Sequence, residues 1–185
     1  MAKVVVNAGH TCSTSGYADH GAVGSYSYEG DITKAVAEIV VEDLSKVGYE
    51  ALFVQEDNLT DVCDMSNGFG ADVFVSIHCN SVDNVPDAKG TETFYHVGSI
   101  EGPKLAKCIQ NQLANTMQSV DRGIKVDTSL YPRGLAVLRN TDAYAALVEL
   151  GFISNLTEEY YMNTHIPEMA HAVARGITDY FAVKG

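Results

Sequence analysis

The sequence predicts a single-domain, three-layer α/β fold built on a mainly parallel sheet. Three observations predict it. Short apolar runs of strand length alternate with longer segments whose apolar residues recur at helical spacing, which is the pattern of successive βαβ units. The chain has 185 residues, enough for one domain with a sizeable core. Hydrophobic residues make up 46% and charged residues 19%, a globular rather than a disordered balance.

The elements follow in order. "KVVVN" is a first short apolar strand. A helix is predicted from about Asp31 to Val47: Ile32, Val36, Ile39, Val40, Leu44 and Val47 fall on one face, and Gly48 stops it. "EALFVQ" is the second strand, a short helix spans Leu59 to Asn67, and "DVFVSIH" is the third strand. "GTETFYHV" alternates like an edge or half-exposed strand. Ser99 and Pro103 open another helix, with Leu105, Ile109, Leu113 and Met117 on its inner face. "LAVLR" and "AALVELGF" are two further apolar runs of strand length. A last helix buries Ile166, Met169, Ala170, Val173, Ile177 and Phe181. No internal repeat, linker or low-complexity stretch interrupts the chain.

Charge and cysteine usage exclude several classes. Lys and Arg total 12 against 24 Asp and Glu, a formal charge of -12. A nucleic-acid binder needs a basic face for phosphates, so this balance argues against one. No apolar run is long enough to span a bilayer, and "MAKVVVNAGH" does not resemble a signal peptide, so synthesis in the cytoplasm is expected. Cys12, Cys63, Cys79 and Cys108 form no C-x-x-C pair, which removes a zinc ribbon or thioredoxin-type site, and no obligatory disulfide is expected. Cys79 and Cys108 sit in apolar patterns and read as small core residues. Cys12, two residues after His10, is a weaker ligand candidate.

Chemistry gathers where strands end. In open α/β sheets, ligands collect at the carboxyl ends of the strands. Strand one ends on "NAGH", strand three on "SIHCN", so His10 and His78 can converge. Two imidazoles and a carboxylate are the ligand set of many catalytic zinc sites. Glu29, in "YEGD" at the mouth of the first helix, is the expected carboxylate. Glu149 stands in an otherwise apolar strand, where burial is costly unless a partner or a function uses it.

Each residue also has a plainer reading. His10 can be a loop histidine after a tight turn at Gly9, and His78 a strand-end histidine bonded to backbone. Glu29 can be a favourable charge at a helix N-terminus. Glu149 can be a structural carboxylate held by Arg139 or Arg133. Four such coincidences would be needed at places the topology brings together. His20, His96, His165 and His171 lack comparable context.

A family resemblance carries the reading further. "NAGH", "YEGDITKAVAEIVVEDLSKVGYEALFVQEDN", "GADVFVSIHCNS", "GTETFYH", "RGIK", "LAVLRNT" and "LVELGFISN" occur in the order and spacing of zinc-dependent N-acetylmuramoyl-L-alanine amidases. The chain resembles their amidase-3 family of bacterial autolysins and phage endolysins over nearly its whole length. The resemblance implies a twisted, mostly parallel sheet flanked by helices. It implies one zinc ion on His10, Glu29 and His78, and Glu149 as the catalytic glutamate. Departures occur where the family usually reads "DPGHGG": Asn7, Ala8, Thr11 and Cys12 stand there. Gln55 replaces a common arginine and Tyr144 a common proline, and none of these touches the four matched groups.

The implied reaction is hydrolysis of the amide between N-acetylmuramic acid and L-alanine in peptidoglycan. Glu149 would act as the proton shuttle, and Asn80 would contact substrate or orient a ligand, or simply cap the turn after its strand. Two alternatives use the same residues differently: a zinc peptidase cutting within the stem peptide, and a catalytically silent wall-binding module. Retention of all four groups argues against the silent module. A phage endolysin, made in the cytoplasm and released onto the wall, is the expected setting, with a host autolysin or sporulation lysin second. Residues 1–185 would then be the catalytic part of a longer lysin carrying a separate C-terminal wall-binding domain.

Overall fold

The computed structural model describes residues 1–11 and 19–184. Cys12 lies outside the described residues. Six strands form one sheet: β1 (Lys3–Ala8), β2 (Glu50–Val54), β3 (Val73–Asn80), β4 (Thr91–Tyr95), β5 (Asp121–Val126) and β6 (Tyr144–Phe152). Their order across the sheet is β2-β1-β3-β6-β4-β5. All neighbouring pairs are parallel except β4 with β6.

The strands are apolar on both sides because both sides are covered. One face carries Val4, Val6, Val75, Ile77, Val148 and Leu150. It packs against α1 (Glu29–Lys46), α3 (Gly102–Met117) and α6 (Ile166–Lys184). Gly176 lets α6 approach α3 closely, since a Cβ there would overlap the backbone of Ile109. The alternate residues Val5, Phe74, Phe94 and Leu147 face the other way. They meet Val62 and Cys63 of α2 (Leu59–Phe69) and Val137 and Leu138 of α4 (Ala136–Arg139). The period of two along each strand thus sorts side chains into two separate cores.

Helix ends obey local chemistry. Asn58 caps α2 by accepting the Thr60 N–H at 2.9 Å, and Gly70 closes it in a left-handed conformation. Pro103 sits in the first turn of α3, as expected.

Four elements differ from the sequence reading. "LAVLR" is the short helix α4 rather than a strand: Gly134 has φ +68°, and Leu138 N–H then bonds back to Leu135 O. Its apolar residues cap the second core instead of extending the sheet. "GTETFYHV" holds β4, which is interior and buried rather than an edge. Its polar residues find internal partners, with Thr93 Oγ1 donating to Gln110 Oε1 at 2.8 Å and Thr91 Oγ1 to Glu149 O at 2.9 Å. The edge on that side is β5, whose "DRGIKV" lacks a clear apolar alternation, and β2 is the opposite edge. A helix α5 (Leu156–Thr164) also separates β6 from α6, capped by Asn155, which accepts from Thr157 N–H and Glu158 N–H.

Candidate metal and catalytic site

Between β1 and β3 the chain order reverses, because β1 is flanked by β2 on one side and β3 on the other. The crevice beyond the carboxyl ends of such strands is where an open α/β sheet offers a site. His10 follows β1 and His78 lies near the end of β3. Gly9 N–H bonds to Ile77 O at 2.8 Å, and His10 then turns sharply at φ +59°. The left-handed conformation falls on the histidine itself, a strained placement typical of functional positions. Gly9 is required beside it, because a Cβ there would overlap the His78 ring. The two imidazoles lie 5.3 Å apart and nearly perpendicular.

Glu29 is the first residue of α1 and is only 3% exposed. Its Oε1 lies 2.9 Å from His78 Nδ1 and accepts the Cys79 N–H at 2.9 Å. Its Oε2 accepts the Ala22 N–H at 2.8 Å and lies 3.5 Å from His10 Nε2. Ligand atoms of His10, Glu29 and His78 lie within 4.8 Å of one another. The electrostatics are mutual. Burial pushes the Glu29 carboxyl up, but the His78 hydrogen bond and the charges of His78 and His10 outweigh it, leaving a net lowering. Burial pushes His78 down, and Glu29 reverses that to a net rise.

Glu149 is the register partner of His78 across β3 and β6. Its Oε2 is buried and has no hydrogen-bond partner among the described residues. Burial, opposed by His78 and reinforced by Glu29 and Glu92, lifts its carboxyl to about 7. Arg139 does not hold it, being bonded to Arg133 O and Asn140 Oδ1. The structural reading that pairs Glu149 with Arg139 is therefore not the one observed. Glu149, His10 and His78 open into a groove of about 410 Å³, walled by Leu130, Tyr131 and the 134–137 segment.

Asn80 Nδ2 donates to Glu92 Oε1 at 2.8 Å, so its amide is oriented by a buried carboxylate. Gln55 Nε2 donates to Gly30 O at 3.0 Å and steadies the start of α1. Tyr144 is exposed at the start of β6. The remaining histidines stay outside the cluster: His96 pairs with Asp127, His171 with Asp43, and His165 stacks on Tyr161. His20 Nδ1 lies 3.3 Å from Thr11 O.

Several supporting residues are invisible to sequence reasoning. Asp19 Oδ2 lies 3.3 Å from His10 Nδ1, which turns Nε2 toward Glu29. Glu159, buried in α5, accepts the N–H groups of Ser25, Tyr26 and Ser27 at 2.9, 2.9 and 3.0 Å. It thereby fixes the turn that delivers Glu29. The signals were absent because these carboxylates act through tertiary contacts at sequence separations of 9 and about 130.

Comparison with known proteins agrees with this geometry. The family profile for N-acetylmuramoyl-L-alanine amidase matches residues 4–179. The uncharacterized protein YqiI of Bacillus subtilis (strain 168) is 34% identical, covering 96% of this chain and 84% of its own. The germination-specific N-acetylmuramoyl-L-alanine amidase of the same organism is 27% identical, covering 90% and 76%. The crystal structure of N-acetylmuramoyl-L-alanine amidase from Clostridium difficile 630 superposes with a TM-score of 0.85 at 29% identity, covering 100% of this chain and 98% of that one. The chain belongs to the N-acetylmuramoyl-L-alanine amidase family and is a hydrolase of the peptidoglycan amide bond.

Proposed function

We propose that His10, Glu29 and His78 hold one zinc ion and that Glu149 is the proton-transfer group of the amidase reaction. The observation that carries the proposal is the convergence of two imidazoles and one carboxylate within 4.8 Å, beside the unpartnered buried Glu149 Oε2. A nitrogen, nitrogen and oxygen donor set suits zinc and leaves room for a further ligand. When bound, zinc supplies Lewis acidity and lowers the pKa of water at the site.

The protein's own residues do the rest. Glu29, anchored by backbone N–H groups of Ala22 and Cys79, presents its carboxylate at a fixed position. Asp19 sets the ring orientation of His10. Glu149 Oε2 takes a proton from the attacking water and returns it to the leaving nitrogen of L-alanine. Burial raises the Glu149 carboxyl in the metal-free protein, and a zinc ion held beside it would draw it back toward the ionised form that accepts the proton. The groove wall of Leu130 and Tyr131 flanks the reacting groups and offers apolar surface to a substrate. Asn80, whose amide nitrogen is held by Glu92, is assigned a substrate contact just beyond His78.

The natural setting we propose is an endolysin-like one, with action on the wall and a separate wall-binding module attached to this catalytic part. No helix among the described residues is long and apolar enough to cross a membrane. Product analysis tests the reaction. Digestion of purified peptidoglycan should expose new amino groups on L-alanine while leaving muramic acid intact. Exposure of amino groups further along the stem, with L-alanine still attached to muramic acid, would identify a stem peptidase instead.

A further inference from the structure

The catalytic glutamate belongs to a row of charged side chains that crosses four adjacent strands. His78 on β3 is the register partner of Glu149 on β6, and Glu149 is the register partner of Glu92 on β4. On β5, Arg122 Nε donates to Glu92 Oε2 at 2.6 Å, and Lys125 Nζ bonds to the same oxygen. Lys125 lies beside Phe94, two residues along the same face from Glu92. The row therefore runs imidazole, carboxylate, carboxylate, two cations, and its first two members line the groove.

The two cations exceed what Glu92 needs. Its side chain is 3% exposed and already receives Asn80 Nδ2 on its other oxygen. One cation would neutralise it; the second balances an ionised Glu149, the next carboxylate of the row, and leaves the positive charge gathered at the β5 end in a chain of net charge -12. Both cationic side chains remain 34% exposed, so their outer surfaces reach solvent. Arg122 is further held over the Phe152 ring, 5.0 Å from its centroid. A rigid, half-exposed positive point beside a reacting centre is how a protein selects an anionic substrate group.

Spacing identifies the group. Neighbouring strands lie about 4.8 Å apart, so Glu92 stands one spacing and β5 about two from the column of Glu149. The head groups of Arg122 and Lys125 reach back to Glu92, which puts them between those limits. An extended peptide advances about 3.3 Å per residue, so a stem peptide laid across the strands from Glu149 toward β5 would bring the residue that follows L-alanine to the cations. In peptidoglycan that residue is a γ-linked glutamate whose α-carboxyl is either free or amidated.

Resting on the amidase reading above, we propose that Arg122 and Lys125, clamped by Glu92, form a subsite for the free α-carboxylate of the second stem residue. The enzyme then discriminates between carboxylate and carboxamide forms of its substrate.

The test compares two soluble muramyl peptides that differ only in that group, with N-acetylmuramoyl-L-alanine amide as a third substrate lacking it. The carboxylate form should be cleaved with a kcat/KM about tenfold higher than the carboxamide form, the worth of one good ionic hydrogen bond. The preference should shrink as salt is raised. Lys125→Met should bring the ratio toward one, and Lys125→Arg should restore it. Equal cleavage of both forms by the wild-type enzyme, or a preference that persists in Lys125→Met, overturns the subsite. If Lys125→Met does not fold, the wild-type ratio and its salt dependence still decide. Failure to cleave any of the three substrates would instead overturn the amidase reading itself.

Discussion

Glu29 Oε1 lies 2.9 Å from His78 Nδ1, joining the first turn of α1 to the end of β3. The contact ties two segments 49 residues apart and sets both protonation states: Glu29 is held anionic and His78 is drawn toward its charged form. With His10 Nε2 3.5 Å from the other Glu29 oxygen, the three side chains behave as one unit, whose imidazoles a metal ion would deprotonate on binding.

His78→Ala should remove one proposed ligand and strand a buried carboxylate. Zinc affinity should fall at least 100-fold, since losing even a supporting partner of a ligand costs 10–100-fold. The metal-free protein should lose roughly 1–3 kcal/mol as Glu29 loses a partner. Atomic absorption after dialysis and a urea titration read the two effects. Stoichiometric zinc in the mutant would refute the ligand role.

Glu149→Gln should retain zinc and lose turnover by at least 100-fold, the lower range of general acid–base contributions. It also has a signature in the metal-free protein. The folded-state value of about 7 lies above the ordinary 4.5, so the native state binds the extra proton and stability falls as pH rises between those values. Below 4.5 the carboxyl is protonated in both states and costs nothing. Above 7 the full cost, on the order of 3 kcal/mol, is present. Metal-free Glu149→Gln should therefore match wild type near pH 4 and exceed it in stability at pH 8, as read by chemical denaturation at each pH. Equal stabilities at pH 8 would contradict the burial of an uncompensated carboxylate.

Glu159→Ala should loosen the 24–27 turn by leaving three N–H groups without their acceptor. A loss of about 2–3 kcal/mol, or several degrees in Tm, is expected. Because the same turn leads into Glu29, zinc affinity should fall about tenfold as well. Thermal unfolding and competitive zinc titration measure the two together.

Gly176→Ala separates two opposed expectations. Helix propensity alone favours alanine by up to about 1 kcal/mol. The Cβ would overlap the Ile109 backbone, however, and α3 and α6 would have to part at a cost of about 1–3 kcal/mol. The urea midpoint should fall.

The layered fold was legible because its signals are local. Apolar runs such as "DVFVSIH" and the helical period of α1 and α6 depend only on neighbours in sequence. Glu29, His10 and His78 were legible from their places at strand and helix ends. What failed was context: "LAVLR" has strand-like composition, yet Gly134 and the second core fold it into a helix. β4 looked half exposed because Thr91, Glu92 and Thr93 are polar, although each is satisfied inside the protein. Asp19, Glu92 and Glu159 support the site only through distant partners, which single-residue patterns do not record.

The proposed site makes wall hydrolysis depend on one zinc ion held by His10, Glu29 and His78. Its most direct test is the metal content of the purified protein, measured alongside lysis of purified walls before and after chelation. About one zinc per chain, with lysis abolished by chelator and restored by added zinc, is the predicted result. Undiminished lysis by protein stripped of metal would rule out a zinc-dependent site at these residues.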